Sequence, residues 1–323
     1  MVQEKAVTPI TVVAGPTGSG KSALAVELAL AGNGGIISCD SMQIYKYMDI
    51  GTAKTTKHER KGTEHFMIDV CLPDCDYSVS LFCDGADEAA SELYKKGKAV
   101  IAAGGTGLYI KAFLYEHSLG NSAKDESIRA EYGAMLAEKG KEYIYALLAE
   151  KDPGAAARLH VNDTKRVIRA LEIARSGGGT KSEIIDIDKK TEAPRYPYKM
   201  FILDMERDKL YKRINGRVDK MIKDGLIEET EGLLKIGYHA GLNSMKAIGY
   251  AEIIRYLQGG LSREDAIELI KQNTRRYAKR QITFFKGFKD AVWLDAGKDI
   301  KTLVNEVSWE RGGIGLYGCK SFY

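Results

Sequence analysis

The chain has 323 residues, 44% of them hydrophobic and 28% charged, with a formal net charge of +4. That length buries a sizeable core and fits one large α/β domain with a smaller insertion, while the mild positive charge permits a nucleic-acid partner without requiring one. An N-terminal apolar segment with a cleavage site and a membrane-spanning apolar run are both missing, so the expectation is a cytoplasmic protein with no membrane partner.

In chain order, an apolar run over 10–14 leads into Gly15-Pro16-Thr17-Gly18-Ser19-Gly20-Lys21-Ser22 and then into a helical segment over 23–30. A G-x-x-x-x-G-K-S turn between a buried strand and a helix binds a diphosphate or triphosphate. Glycines let amides curl around phosphate oxygens, Lys21 reaches the terminal phosphates, and Ser22 places its hydroxyl on Mg²⁺. A second strand is predicted over 36–40 and ends in Asp40-Ser41-Met42-Gln43. Parallel strands direct their carboxyl ends at the ligand crevice, so Asp40 belongs near the phosphate loop, either as a metal-linked or proton-accepting carboxylate or as the cap of the next helix. Residues 45–55 form a polar loop carrying Tyr45, Lys46, Tyr47 and Lys54, a mixture that suits both base stacking and plain solvation. The run over 65–70 reads as a strand whose Asp69 rivals Asp40 for the acidic role. An amphipathic helix over 78–96 and a strand over 99–103 lead to Gly104-Gly105-Thr106-Gly107, a second glycine-rich turn. Thr106 then either faces the same crevice as Lys21 or simply caps the helix.

From 115 to 197 the alternation of strand and helix stops, and helices are predicted over 125–139, 142–151 and 163–176, separated by Asp152-Pro153-Gly154 and Gly177-Gly178-Gly179. Lys165, Arg166 and Arg169 there make a basic stripe of the kind that usually faces solvent. A strand over 199–204 returns to the core, followed by helices over 208–221, 226–236, 244–257 and 263–286 and a strand over 291–294. Arg213 and Arg217, four apart, are placed to point both guanidiniums into one site. Lys271, Arg275, Arg276, Lys279, Arg280 and Lys286, interleaved with Tyr277, Phe284, Phe285 and Phe288, read as a polyelectrolyte contact. Five cysteines (Cys39, Cys71, Cys75, Cys83 and Cys319) lack any C-x-x-C pair and read as reduced thiols. The fold class is therefore α/β, a P-loop NTPase-like parallel-sheet core over 1–114 and 198–296 with a mostly helical insertion over 115–197. A tail over 297–323 contains a short amphipathic stretch and Gly312-Gly313-Ile314-Gly315.

The ordered motifs at 15–22, 38–45, 48–54, 65–69, 104–109, 162–167, 247–250 and 280–285 together resemble the tRNA dimethylallyltransferase family over 15–295. The resemblance implies transfer of a dimethylallyl group from dimethylallyl diphosphate to N6 of the adenosine 3′ of the anticodon. It implies Asp40 as general base and a structural place for Asp69. Lys21, Mg²⁺ at Ser22, Thr106 and Arg217 would stabilise the diphosphate leaving group. It further implies contacts to the tRNA anticodon stem-loop from Asp40, Ser41, Met42 and Gln43. More would come from Lys165, Arg166, Val167, Ile168 and Arg169, from Ser244, Met245, Lys246, Ala247, Ile248, Gly249 and Tyr250, and from Arg280. A monomer is expected, and the alternative is a P-loop kinase of small molecules or nucleotides, which would share the phosphate loop but not need the insertion or the basic aromatic tract.

Overall fold

In the computed structural model, residues 8–115, 125–176 and 193–310 are described; the glycine run at 177–179, the tail motif at 312–315 and Cys319 lie outside them. The strands are β1 (Ile10–Ala14), β2 (Gly34–Ser38), β3 (His65–Phe66), β4 (Ala99–Gly104), β5 (Tyr198–Asp204) and β6 (Val292–Asp295). In chain order the helices are α1 (Lys21–Ala31), α2 (Val79–Lys95), α3 (Gly107–Leu114), α4 (Glu126–Lys151), α5 (Pro153–Ala156), α6 (Thr164–Arg175), α7 (Arg207–Lys223), α8 (Leu226–Lys235), α9 (Tyr250–Leu257), α10 (Arg263–Phe285) and α11 (Ile300–Glu310). Among the described residues no helix is long and apolar enough to cross a membrane.

The chain divides into two compact units, 1–114 with 196–323 and 115–195. In the first, one six-stranded sheet has the order β3-β2-β4-β1-β5-β6, and every pair in it is parallel. Apolar runs rather than alternating patterns form these strands because helices cover both faces; Val12, Val13, Ile101 and Phe201 are buried accordingly. The order places β1 between β4 and β5, so the loop leaving β1 sits at the middle of the carboxyl edge, beside the ends of β4 and β5 and two strands from that of β2. The described part of the tail belongs to this unit, since Leu303 and Val307 of α11 join the apolar cluster that also holds Leu24, Leu28 and Phe201. A second cluster, with Ile44, Met48, Leu226, Tyr250 and Ile253, fastens the loop after β2 to the C-terminal helices.

Two expected elements are shorter than the sequence suggests. The strand over 65–70 stops at Phe66, because Met67 and Asp69 take left-handed φ values of 61° and 58°. The Asp69 and Val70 amides instead donate to the Gln43 and Ile44 carbonyls. The helix expected over 244–257 breaks into a 3₁₀ turn, Ser244–Lys246, and α9, because Gly249 adopts φ 102° and its amide donates to the Glu252 carboxylate at 2.8 Å. In the second unit, α4 carries a kink at Gly140 (φ 83°), which separates the two helices expected over 125–139 and 142–151. Tyr132, Ile144, Leu148, Val167 and Leu171 make this unit's own core. Asp152 caps the short α5 through the Ala155 amide at 2.9 Å.

Candidate active site

The site is built on the turn from β1 into α1. Gly15 runs at φ 149°, and a Cβ there would lie 2.8 Å from the Leu203 carbonyl oxygen, so only glycine lets the turn close against β5. Gly18 and Gly20 also take positive φ (82° and 94°), and α1 starts at Lys21 with no acid in its first turn. The left-handed glycines and a helix N-terminus with no acid in its first turn suit this turn to an anion. Ser19 Oγ is buried without a hydrogen-bond partner among the described residues, which suits an arriving phosphate oxygen.

Three charged groups converge on this turn from separate elements. Burial lowers the pKa of Lys21 to about 8, helped by the Arg217 charge and opposed by Asp40. Burial likewise lowers that of Arg217, with Asp40 and then Glu59 opposing it. Asp40 sits just past β2, where its Oδ1 accepts the amides of Met42 at 2.9 Å and Gln43 at 3.4 Å, so the carboxylate is held in one orientation. Thr106, past β4, is tied to the same turn: its amide donates to the Cys39 carbonyl and its Oγ1 accepts the Ser41 amide at 3.1 Å. Lys21, Arg217 and Asp40 thus meet at the phosphate loop, and Thr106 is bonded to the Ser41 amide beside Asp40. Arg213 does not join them; it is exposed and reaches 3.5 Å from the Ala296 carbonyl oxygen. The i, i+4 spacing leaves room for the two side chains to diverge, and only Arg217 has acidic partners inward.

A cleft of about 640 Å³ opens beside the phosphate loop, lined by Gly20, Lys21, Ser22 and Arg217 on one side and by Asp49, Ala53, Thr55 and Glu59 on the other. A much smaller cavity of about 20 Å³ lies between Lys21, Ser22, Ser38 and Asp40. It has room for a water or a single ion, and the Ser22 hydroxyl is an oxygen ligand of the kind a hard divalent cation takes, with the Asp40 carboxylate lining the same cavity. Mg²⁺ thus fits the residues present.

The wall formed by residues 49–61 is pinned by Glu229, which the sequence did not single out, and by Lys54, expected there only as part of a polar loop. Glu229 accepts the amides of Asp49, Ile50 and Gly51 and the Tyr250 hydroxyl, the last at 2.5 Å. Lys54, buried, bridges Asp49 at 2.5 Å and Asp69 at 2.7 Å and donates to the Tyr45 carbonyl. The Asp69 carboxylate is therefore engaged by Lys54, while its amide bonds to Gln43 in the turn that carries Asp40. Two residues of α10 also reach the site. Gln281, buried, accepts the Thr17 amide and donates to the Gly105 carbonyl, both at 2.9 Å. Burial and then the Asp40 charge push the pKa of the Tyr277 phenol up to about 12, against the opposing influence of Thr106, Arg280 and Gln281. Gln281 lies in the family motif at 280–285 and Tyr277 among the aromatics of the basic tract, but neither cue carried these contacts.

The expected RNA-contact segments differ in what they expose. Ser41 and Met42 are half-buried, and Gln43 is buried, bonded to Ser38 Oγ and near the Thr52 and Ala53 carbonyls. Of Ser244, Met245, Lys246, Ala247, Ile248, Gly249 and Tyr250, Lys246 alone is exposed; Ser244 Oγ donates to the Pro73 carbonyl at 2.6 Å. Arg280 is exposed, its guanidinium 5.7 Å from the Tyr277 ring centre. Acids are absent from the basic tract in sequence but not in space. Lys271 pairs with Asp219 and Glu268, and Arg275 bonds Asn215, leaving Arg276, Lys279, Arg280 and Lys286 exposed. In the second unit Lys165 and Arg166 are exposed, Ile168 is half-buried, Val167 is core, and Arg169 pairs with the buried Glu172 at 2.7 Å.

A family model described as IPP transferase matches residues 43–288. A tRNA dimethylallyltransferase of Clostridioides difficile is 46% identical over 301 residues, 93% of this chain and 96% of the relative. One of an Exiguobacterium species is 43% identical over 293 residues, 90% and 91% of the two chains. The crystal structure of the full-length tRNA isopentenylpyrophosphate transferase of Bacillus halodurans superposes with a TM-score of 0.71 at 39% identity, covering 95% of this chain and 96% of that one. A eukaryotic dimethylallyltransferase captured acting on tRNA gives 0.78 at 30% identity, over 94% of this chain and 77% of that one. With a P-loop NTPase-like fold and this likeness along nearly its whole length, the chain belongs to the IPP transferase family, that of the tRNA dimethylallyltransferases.

Proposed function

We propose that the protein transfers the dimethylallyl group of dimethylallyl diphosphate to N6 of adenosine 37, the base 3′-adjacent to the tRNA anticodon, giving N6-isopentenyladenosine. The observation that carries this reading is the meeting of an anion-binding turn, two cations (Lys21 and Arg217) and one oriented carboxylate (Asp40) at the carboxyl edge of the sheet. The C–O bond of the donor breaks as the new C–N bond forms, so negative charge grows on the diphosphate. Lys21, Arg217 and the loop amides are preorganised where that charge appears, and Thr106 is held beside Asp40 by its bond to the Ser41 amide. Mg²⁺, bound through Ser22, would add further charge neutralisation on the departing diphosphate. The adenine amine is a poor nucleophile because its lone pair is delocalised into the ring, and it must lose a proton as it alkylates. Asp40, its Oδ1 fixed by two amides, takes that proton.

Reaching N6 requires the adenosine to leave the anticodon-loop stack, at a cost of about a few kcal/mol. Exposed cations on α10 (Arg276, Lys279, Arg280) and Lys246 in the first unit, and Lys165 and Arg166 in the second, supply the phosphate contacts that offset it. The protein works in the cytoplasm as a monomer in this reading. Incubation of labelled dimethylallyl diphosphate, Mg²⁺ and unmodified tRNA tests it: label in adenosine 37 is expected, and retention of all label in the donor would exclude it.

A further inference from the structure

We infer that Gln281 is a positioning residue that holds the two glycine-rich turns of the site, 15–22 and 104–107, at a fixed spacing. Its primary amide is the right group for the task. Oε1 accepts the Thr17 amide of the phosphate turn, while Nε2 donates to the Gly105 carbonyl of the turn that carries Thr106. One partner needs an acceptor and the other a donor, so neither a carboxylate nor an alkyl chain of equal length serves both. The side chain is buried and bridges groups 264 and 176 residues away in sequence. Tyr277 lies one helical turn earlier on the same helix.

Gly105 is the other half of this clasp. A Cβ at Gly105 would lie 2.2 Å from Gln281 Nε2, so any side chain there evicts the amide. The backbone at Gly105 is not in the left-handed region, and the steric conflict with Gln281 therefore explains the glycine better than backbone strain does. The same helix presents Arg276, Lys279 and Arg280 to solvent, so the element proposed to grip RNA phosphates also sets the spacing of the catalytic turns. The inference rests on the proposed prenyl transfer for its kinetic readout but not for its binding readout.

The test is a double-mutant cycle over Gln281→Ala and Gly105→Ala, with melting temperatures to confirm that each variant folds. The readouts are the affinity for inorganic diphosphate with Mg²⁺, and kcat and KM for tRNA prenylation. Each single variant should weaken diphosphate binding several-fold and lower kcat by up to about 10²-fold, the scale of a misplacement near 1 Å, while KM for tRNA stays within about two-fold. The double variant should be no worse than Gln281→Ala alone, because the alanine methyl occupies the space that the truncated glutamine vacates. Gln281→Glu should fail like the alanine variant. Additive losses in the cycle, or a raised KM for tRNA with kcat intact, would overturn the inference. If wild-type protein transfers no prenyl group, the function proposed above falls while the diphosphate cycle still decides the role of Gln281.

Discussion

The carboxylate of Asp40 owes its role to where a parallel strand ends. That much was readable in sequence, because an apolar run followed by Asp-Ser-Met-Gln after a phosphate-binding turn puts the acid at the ligand edge. Whether it caps a turn or accepts a proton could not be read, and the structure has its Oδ1 bonded to two amides, a cap that also orients it. Asp40→Ala should lower turnover by about 10²-fold or more while tRNA affinity is largely kept; single-turnover rates and a binding isotherm on the same variant check this, and lost binding at normal turnover would contradict it. Gln281 belongs to the motif at 280–285, but its role lay hidden because its partners are 264 and 176 residues away in sequence. The pairing of Lys54 with Asp69 was hidden in the same way, although the family resemblance already assigned Asp69 away from the chemistry.

At the scale of elements, the long apolar strands and the helices with clear periodicity stand where the sequence put them. Those that changed did so under tertiary control. β3 ends early because the chain turns at Met67 and Asp69 toward Lys54, and the helix after 244 breaks at Gly249. The wall at residues 49–51 depends on one carboxylate from α8. Glu229→Ala removes the acceptor for three amides and the Tyr250 hydroxyl and should cost about 2–4 kcal/mol. Amide hydrogen exchange at residues 49–51 should accelerate accordingly; unchanged protection there would refute the clamp. In the second unit, Glu172 has a fully buried side chain that accepts from Arg169, the Asp125 amide and Arg129. Burial opposes its charge, but these bonds outweigh burial and hold its pKa below the ordinary glutamate value. Its contribution is therefore complete above pH ~4.5 and lost as pH falls through the lower folded value. Glu172→Gln should destabilise this unit by about 2–3 kcal/mol at pH 7, at the low end for buried pairs because both guanidiniums keep about a quarter of their surface in water. The gap from wild type in thermal melts should narrow toward pH 3; a gap that widened on acidification would reverse the assignment.

Taken whole, the molecule combines a sheet whose carboxyl edge carries the phosphate-loop turn with helices that leave cations exposed. Composition alone, at +4, said little about where those cations lie. Folding turns Lys271 and Arg275 inward to partners from Asp219, Glu268 and Asn215 and leaves Arg276, Lys279, Arg280 and Lys286 outward. Burial of the side chains around Met245 and Tyr250 equally depends on packing that no local pattern encodes. Lys279→Ala with Arg280→Ala should weaken tRNA binding and lower the slope of log affinity against log salt by about 1.5–2, with donor binding unaffected; an unchanged slope would make this face merely solvated. The central claim is prenyl transfer to tRNA at the carboxyl edge of this sheet. The most direct measurement is transfer of label from dimethylallyl diphosphate to unmodified tRNA with Mg²⁺, run beside ATP and AMP as competing substrates. Labelled adenosine 37 in tRNA, with AMP left unmodified and no phosphoryl transfer from ATP, is the predicted result; phosphoryl transfer from ATP without prenylated RNA would contradict it and make the protein a kinase.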